Sequence, residues 1–380
     1  MRCQLVENGL GDSQLAALLG LAGCPPEGQQ PLALLAVAPA GAFASRLRLP
    51  NGLLAVPWKN PFGDGACDGS LPQCVADAHH ATWKACSPEA DSELWDRSRR
   101  CASSVPAFAA EPERLRRLMA QRRSVVGFDR GASIARDHLF EILLASMPNQ
   151  EPLASLMSFC KTLVPLVLLA VHRVDGLQPG LYAVVRDVSR LDWLRSSACC
   201  SKIYLWAPVE GCPQGLPLFA LTPGSLEDAM CTAALGQPIA RDGLVSMAIF
   251  AEYEPLLRRY GAWMYRGLMW EACLVGHALW LAAEAVDLRA GAIGAFFGQW
   301  THEIFGIDSC ELRDVYHFSF GVPTQVAPFG DTSDCRPPYE HLDHFRSRSD
   351  RDAVDTRECQ VVNINVLGQT AQRTGMPCTW

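Results

Sequence analysis

Residues 258–297 read RRYGAWMYRGLMWEACLVGHALWLAAEAVDLRAGAIGAFF, and how this stretch folds decides the rest of the chain. Its centre, ACLVGHALWLAA at 272–283, is interrupted only by His277. A bilayer-spanning helix needs about 20 apolar residues, so this run is too short to cross a membrane. A helix apolar on nearly all sides belongs inside a protein core. The spacing predicts that helix over residues 263–287, with Glu271 and Glu284 as its polar ends. His277 then reads as a satisfied core histidine or a catalytic one. Trp263, Tyr265 and Trp270 read as core or as rings stacked on a cofactor. After the helix, GAIGAFFG (291–298) predicts a turn whose glycines let the backbone approach a flat ligand and offer it N–H groups. An ordinary helix end would show the same glycines. It is not a dinucleotide fingerprint, because it follows a helix and not a strand.

Outward from this centre the pattern is regular. Downstream come a short helix, WTHEIFGI, and a strand, DVYHFSFGV, with Tyr316, Phe318 and Phe320 on one face. Upstream, SLEDAMCTAALGQ has a serine cap, an acidic first turn and a glycine stop, so it is helical. VSMAIFAEY fits either a strand or a helix start. LVPLVLLAV and GLYAVVR are strands joined through Asp-Gly and Pro-Gly turn chemistry. ARDHLFEILLASM is a helix with Ser133 as its N-cap and Leu139, Ile142 and Leu143 as its stripe. EPERLRRLMAQRR is a helix with Pro112 in its first turn.

Four regions follow. Residues 1–60 hold a short helix, SQLAALLGL, and a strand, PLALLAV; residues 61–104 are an irregular linker with one helix around VADAHHATWKA. Residues 105–328 carry the clear periodicity, and residues 329–380 are a charged tail in which QVVNINVLG is a candidate edge strand. The helix–glycine–loop–strand–proline order near the start repeats that of THEIFGI and YHFSFGVP, so the N-terminal region reads as the trailing edge of an earlier copy or as a coincidence of short elements.

The formal charge of −7 argues against nucleic acid as a partner, since no long basic face is available. The 16 cysteines include no C-x-x-C pair, and the start shows no basic segment followed by a long apolar run, so they read as buried cytoplasmic thiols rather than disulfides or zinc ligands. No metal is expected. No G-x-S-x-G, Cys–His–Asn spacing or P-loop is present.

QRRSVVGFD (121–129) sets Arg122, Arg123 and Ser124 at a helix end. Cations are favoured there by the helix dipole. Arginine also offers a rigid fork for phosphate or a carbonyl-rich ring, and Ser124 adds a hydroxyl and an amide.

The order QRRSVVGFD, PGLYAVVRD, RRYGAWMYRGLMWEACLVGHALW, GAIGAFF, HEIFGID, FSFGVP resembles the nitroreductase-like FMN flavoprotein family, in particular its SagB-type dehydrogenase branch, related to thiazole/oxazole-forming oxidases. The resemblance covers roughly residues 105–325. It implies an α+β, three-layer α-β-α sandwich with a mainly antiparallel sheet and a long buried central helix. It implies FMN at a subunit or pseudo-subunit interface, hence a homodimer or pseudo-dimer, with Arg122, Arg123 and Ser124 on the phosphate, ribityl and pyrimidine side. Ala292, Ile293 and Gly294 would meet the ring near its reactive nitrogen. It also implies hydride transfer through the flavin with no catalytic base, NAD(P)H as a candidate donor, and a small-molecule or peptide substrate. Some members carry two copies in tandem, which would make this chain the second half of a truncated tandem. The family's glycine-containing ribityl segment is replaced here by ASMPNQEPLASL, which has no glycine. Two functions therefore stand side by side: an FMN-dependent oxidoreductase, and a degenerate non-catalytic domain acting as a dimerisation or scaffold half.

Overall fold

The run LVLLAV (166–171) forms a strand in which every residue is buried, because helices cover both of its faces. The computed structural model describes residues 2–5, 11–18, 35–38, 73–84, 124–150, 153, 163–198 and 204–324, all within the unit Met1–Val326. In chain order the first elements are β1 (Arg2–Leu5), α1 (Asp12–Leu18), β2 (Leu35–Ala38), α2 (Gln73–Ala81), β3 (Ile134–Ala135), α3 (Arg136–Leu144), β4 (Leu166–Val171), β5 (Val174–Asp175) and β6 (Gly180–Val185). A helical turn leads to β7 (Ala207–Pro208), β8 (Leu218–Pro223), α4 (Glu227–Ala233), α5 (Ile239–Asp242) and β9 (Val245–Glu252). Then come α6 (Glu254–Tyr260), α7 (Met264–Ala285), β10 (Arg289–Ile293), α8 (Gly298–Phe305) and β11 (Leu312–Gly321).

Seven strands make one sheet in the order β10-β11-β9-β4-β6-β8-β7, and every neighbouring pair is antiparallel. Side-chain alternation divides the core in two. Val167, Leu169 and Val171 of β4 join Met247 and Ile249 of β9 beneath α3 and α7. Leu166, Leu168 and Ala170 join Ala248 and Phe250 on the opposite face, with Met230 of α4, Ala240 of α5 and Phe305 of α8. The result is the expected α+β three-layer sandwich, with the central helix α7 as one cover. Gly276 allows α7 to sit this close: a Cβ there would stand 2.4 Å from Tyr316 Cε1. Among the described residues no helix is long and apolar enough to cross a membrane.

The ambiguous stretch 245–252 is strand, which its burial on both faces of the central sheet explains. Several local expectations are corrected. Ser133 does not cap α3; the N-cap is Ala135, and the Ser133 hydroxyl donates to Asp175 at 3.0 Å. The serine expected to cap α4 does not cap it; the N-cap is Leu226, without a side-chain hydrogen bond. Of the stretch 291–298 expected as a turn, residues 291–293 belong to strand β10; α7 ends at Ala285, and Asp287 takes the left-handed region (φ 62°) without a glycine. Glu271 is not a polar helix end: it lies within α7 and is buried. His277 is not a core residue: it is exposed on α7. The helix expected over 111–123, the strand over 360–368 and the tail lie outside the described residues.

The N-terminal elements share an element order with the end of the main sheet. β1 and β2 pair antiparallel with α1 between them, as β10 and β11 do around α8.

Candidate functional site

Strand β10 is at the edge of the sheet, and its inner partner fixes which of its backbone groups point outward. Phe320 gives its carbonyl to Leu244 N–H at 2.8 Å on the β9 side, so the Phe320–Ala290 pair carries no β10–β11 hydrogen bonds. Ala290 therefore points away from β11, and its carbonyl accepts Val125 N–H at 3.2 Å. Two residues further on, the N–H and carbonyl of Ala292 point the same way, with no partner among the described residues. Ile293 faces inward, opposite His317. Ala292 and Gly294 are exposed and Ile293 is buried. The outer edge of β10 thus presents an outward amide, without a partner among the described residues, beside the segment that begins at Ser124.

That segment runs alongside the sheet. Ser124 is exposed, Val126 is 81% exposed, and Phe128 is buried in an antiparallel bridge to Pro323. Of the residues expected to hold a cofactor, the structure brings the Ser124 segment to the strand that carries Ala292, Ile293 and Gly294. Arg122 and Arg123 lie outside the described residues. The backbone of Ile293 belongs to the ladder with β11, whereas the amide of Ala292 points away from it.

The loop 294–297 that follows β10 is pinned from both sides. Phe297 N–H donates to Ala233 O at 2.7 Å, and Gln237 Nε2 donates to Ala295 O at 3.0 Å. Beneath it, His317 stacks on Phe296 with ring centroids 3.8 Å apart and planes 4° apart. His317 Nε2 donates to Asp314 Oδ2 at 3.0 Å, since a carboxylate oxygen accepts. His302 Nε2 lies 3.4 Å from Asp314 Oδ1, an ion-pair distance without hydrogen-bond geometry. Burial works to raise the Asp314 pKa, but the two imidazoles outweigh it and hold the carboxyl well below the usual carboxylate range. A β-bulge between Asp314 and Tyr316 places Asp314 and His317, three positions apart, on the same face. Without the extra residue the pleat would send them to opposite faces. Sequence reading missed this cluster because a bulge leaves no periodic trace.

A second buried pair braces the sheet against α7. Arg186 donates to Glu271 at 2.6 Å, and both side chains are 1% exposed. Glu271 also accepts the N–H groups of Leu163 (2.7 Å) and Val164 (3.1 Å). Arg186 donates to the carbonyl of Ser146 at 2.7 Å and to that of Val164 at 2.5 Å. Burial pushes the Glu271 carboxyl up to about 7 against the pull of Arg186 and the two amides. The available signal was a glutamate in mid-helix among apolar residues, which requires a buried partner. Among the described residues no three His, Cys, Asp or Glu side chains are placed to hold a metal.

The fit to FMN divides along the site. The ring side fits: an exposed strand edge carries an outward amide and small side chains at Ala292 and Gly294. On the ribityl side, the described part of the glycine-free stretch 145–156 does not fit: Ser146 is buried and its hydroxyl donates to Leu143 O at 2.6 Å.

No protein-family profile and no curated protein matches the chain. Among solved structures it is similar to one described as a nitroreductase from Anabaena variabilis, at 20% identity and TM-score 0.49, over 67% of this chain and 49% of that one. This chain therefore spans about half the length of that protein. It is also similar to one described as a nitroreductase from Bacillus subtilis (13% identity, TM-score 0.34, 58% of this chain and 95% of that one). A third is described as an NAD(P)H:FMN oxidoreductase from Staphylococcus epidermidis (14%, TM-score 0.32, 58% and 94%).

Proposed function

We propose that this chain is an FMN-dependent oxidoreductase of the nitroreductase class, in its SagB-type branch, with the flavin held along the outer edge of β10. One observation carries the reading: the Ser124 segment and Ala292 meet at that edge through the Val125–Ala290 hydrogen bond of 3.2 Å. Ala292 N–H would donate to the ring, and Ser124 with Arg122 and Arg123 would face the phosphate and ribityl side. Bound flavin would supply hydride transfer. The chain's own residues bind and orient it: the Phe296–His317 stack and the bonds at Ala295 and Phe297 hold the loop beside the ring. No residue is assigned to proton transfer.

NAD(P)H is the proposed donor, the substrate a small molecule or peptide, and the compartment the cytoplasm. The chain is read as the second part of a truncated tandem, either a homodimer or a pseudo-dimer. The experiment is the absorbance of the purified protein and its thermal stability with added FMN. No retained flavin and no stabilisation would remove the enzyme reading.

A second reading is favoured by Ser146, whose hydroxyl and carbonyl are both engaged in the core. On it the domain keeps the fold as a scaffold or dimerisation half and binds no flavin.

A further inference from the structure

We infer that Gly291 is a positioning residue for the proposed site: its missing side chain lets the Ser124 segment close on β10 and so sets the spacing between Ser124 and the Ala292 amide. The consequence for cofactor binding rests on the flavin reading above; the closure itself rests on packing alone. Gly291 lies in the middle of β10 and is buried. It is not among the glycines in the left-handed region, so backbone conformation does not call for a glycine there. Glycine inside a strand weakens the strand, and it marks places where another backbone or a ligand comes close. Here the space has two occupants. A Cβ at 291 would stand 3.1 Å from Val125 Cγ1 and 3.1 Å from Ile239 Cδ1. In a close-packed interior one of the two must then move.

Which one moves follows from how each is held. Ile239 begins α5 and packs against the core on the α4, α5 and α8 side of the sheet. Val125 is half-buried, and its segment is fastened unevenly. At the far end Gly127 O accepts Thr324 N–H at 3.0 Å, and Asp129 N–H donates to Val322 O at 2.8 Å. Phe128 lies over Gly321 there, where a Cβ would stand 2.9 Å from Phe128 Cδ1. At the near end the described residues show one backbone bond, Val125 N–H to Ala290 O at 3.2 Å. Ala290 is the neighbour of Gly291, so a side chain at 291 pushes on Val125 beside the bond that holds it. Val125 yields, the bond opens, and Ser124, one residue away, leaves the strand edge.

Two measurements on the full chain test this, with Gly291→Val alone and with Gly291→Val plus Val125→Ala, which trims the side chain in the way and keeps the N–H. Hydrogen exchange at the residue-125 amide, corrected for side-chain type, needs no flavin. Gly291→Val is expected to speed it about tenfold, as the loss of one hydrogen bond gives, and the double variant to return it to the wild-type rate. In FMN titration followed by flavin fluorescence, Gly291→Val is expected to weaken binding about tenfold and the double variant to restore it. Equal exchange in wild type and Gly291→Val would overturn the inference. So would relief by Ile239→Ala in place of Val125→Ala, which would make Gly291 a packing residue for α5. Saturable FMN binding of equal affinity in wild type and Gly291→Val would overturn it as well. Absence of saturable binding by wild type overturns the flavin reading instead, and the exchange result alone then decides the closure. Where Gly291→Val folds poorly, Gly291→Ala, which adds only the Cβ, carries the same two measurements with the same expected direction.

Discussion

Arg186 and Glu271, 85 positions apart, meet at 2.6 Å with no exposed charge between them. The pair ties the end of β6 to the middle of α7 and satisfies the loop at Leu163 and Val164. Removing one partner leaves a buried charge without its counter-ion. Arg186→Met is expected to destabilise the fold by about 3 to 5 kcal/mol, read from urea unfolding, while Arg186→Met with Glu271→Leu costs less than the single change. A single change within about 0.5 kcal/mol of wild type would contradict this account of the brace.

His172 gives a prediction in pH. It is buried, Nε2 donates to Ala240 O at 3.3 Å, and burial lowers its pKa to about 4. In the unfolded chain it titrates near about 6.5, so the unfolded state takes up the proton first as pH falls. Its contribution is fully present above that value and is lost as pH falls toward 4. Between pH 7 and pH 5 wild type is expected to lose about 2 kcal/mol more than His172→Leu. Urea midpoints at the two pH values measure it, and parallel losses would refute it.

Asp314 is the shared acceptor beneath the loop 294–297. Asp314→Ala is expected to cost about 2 to 4 kcal/mol of stability, by removing a buried charged acceptor that faces two imidazoles. Because its pKa is lowered in the fold, its contribution is present above the ordinary carboxylate range and lost on acidification. Thermal unfolding at neutral pH checks the first statement, and a smaller difference between variant and wild type in strong acid checks the second.

For the anchor, Arg123→Ala is expected to weaken FMN by about 1.5 to 3 kcal/mol, the value of a charge-assisted hydrogen bond. Unchanged affinity would return Arg123 to the role of a helix-end cation.

Most of the architecture was legible in the sequence. The apolar run at 272–283 announced the buried helix, and the period-two pattern at 316, 318 and 320 announced β11, whose Phe318 and Phe320 do face α7's side of the sheet. The strand 289–293 was not legible, because an edge strand built of Ala and Gly has no alternation to read. Nor was the placement of Asp314 beside His317, which a bulge creates. The Arg186–Glu271 and Asp12–Arg266 pairs join residues far apart in the chain, and pairing at a distance has no local signature. For the site, the motifs point to Ala292, Ile293 and Gly294 alike; only the sheet register separates the inward amide of Ile293 from the outward one of Ala292.

That register supplies the most direct measurement. Ala292 N–H faces away from β11, so proline at 292 removes the outward donor without breaking a ladder bond, as edge strands tolerate. FMN titration followed by flavin fluorescence, on wild type and Ala292→Pro with matched unfolding curves, tests the claim. The account predicts saturable one-to-one binding by wild type and an affinity about tenfold lower in Ala292→Pro, the loss of one hydrogen bond of about 1 to 1.5 kcal/mol. Absence of saturable binding by wild type, or equal affinity in a folded Ala292→Pro, would contradict a flavin on the edge of β10.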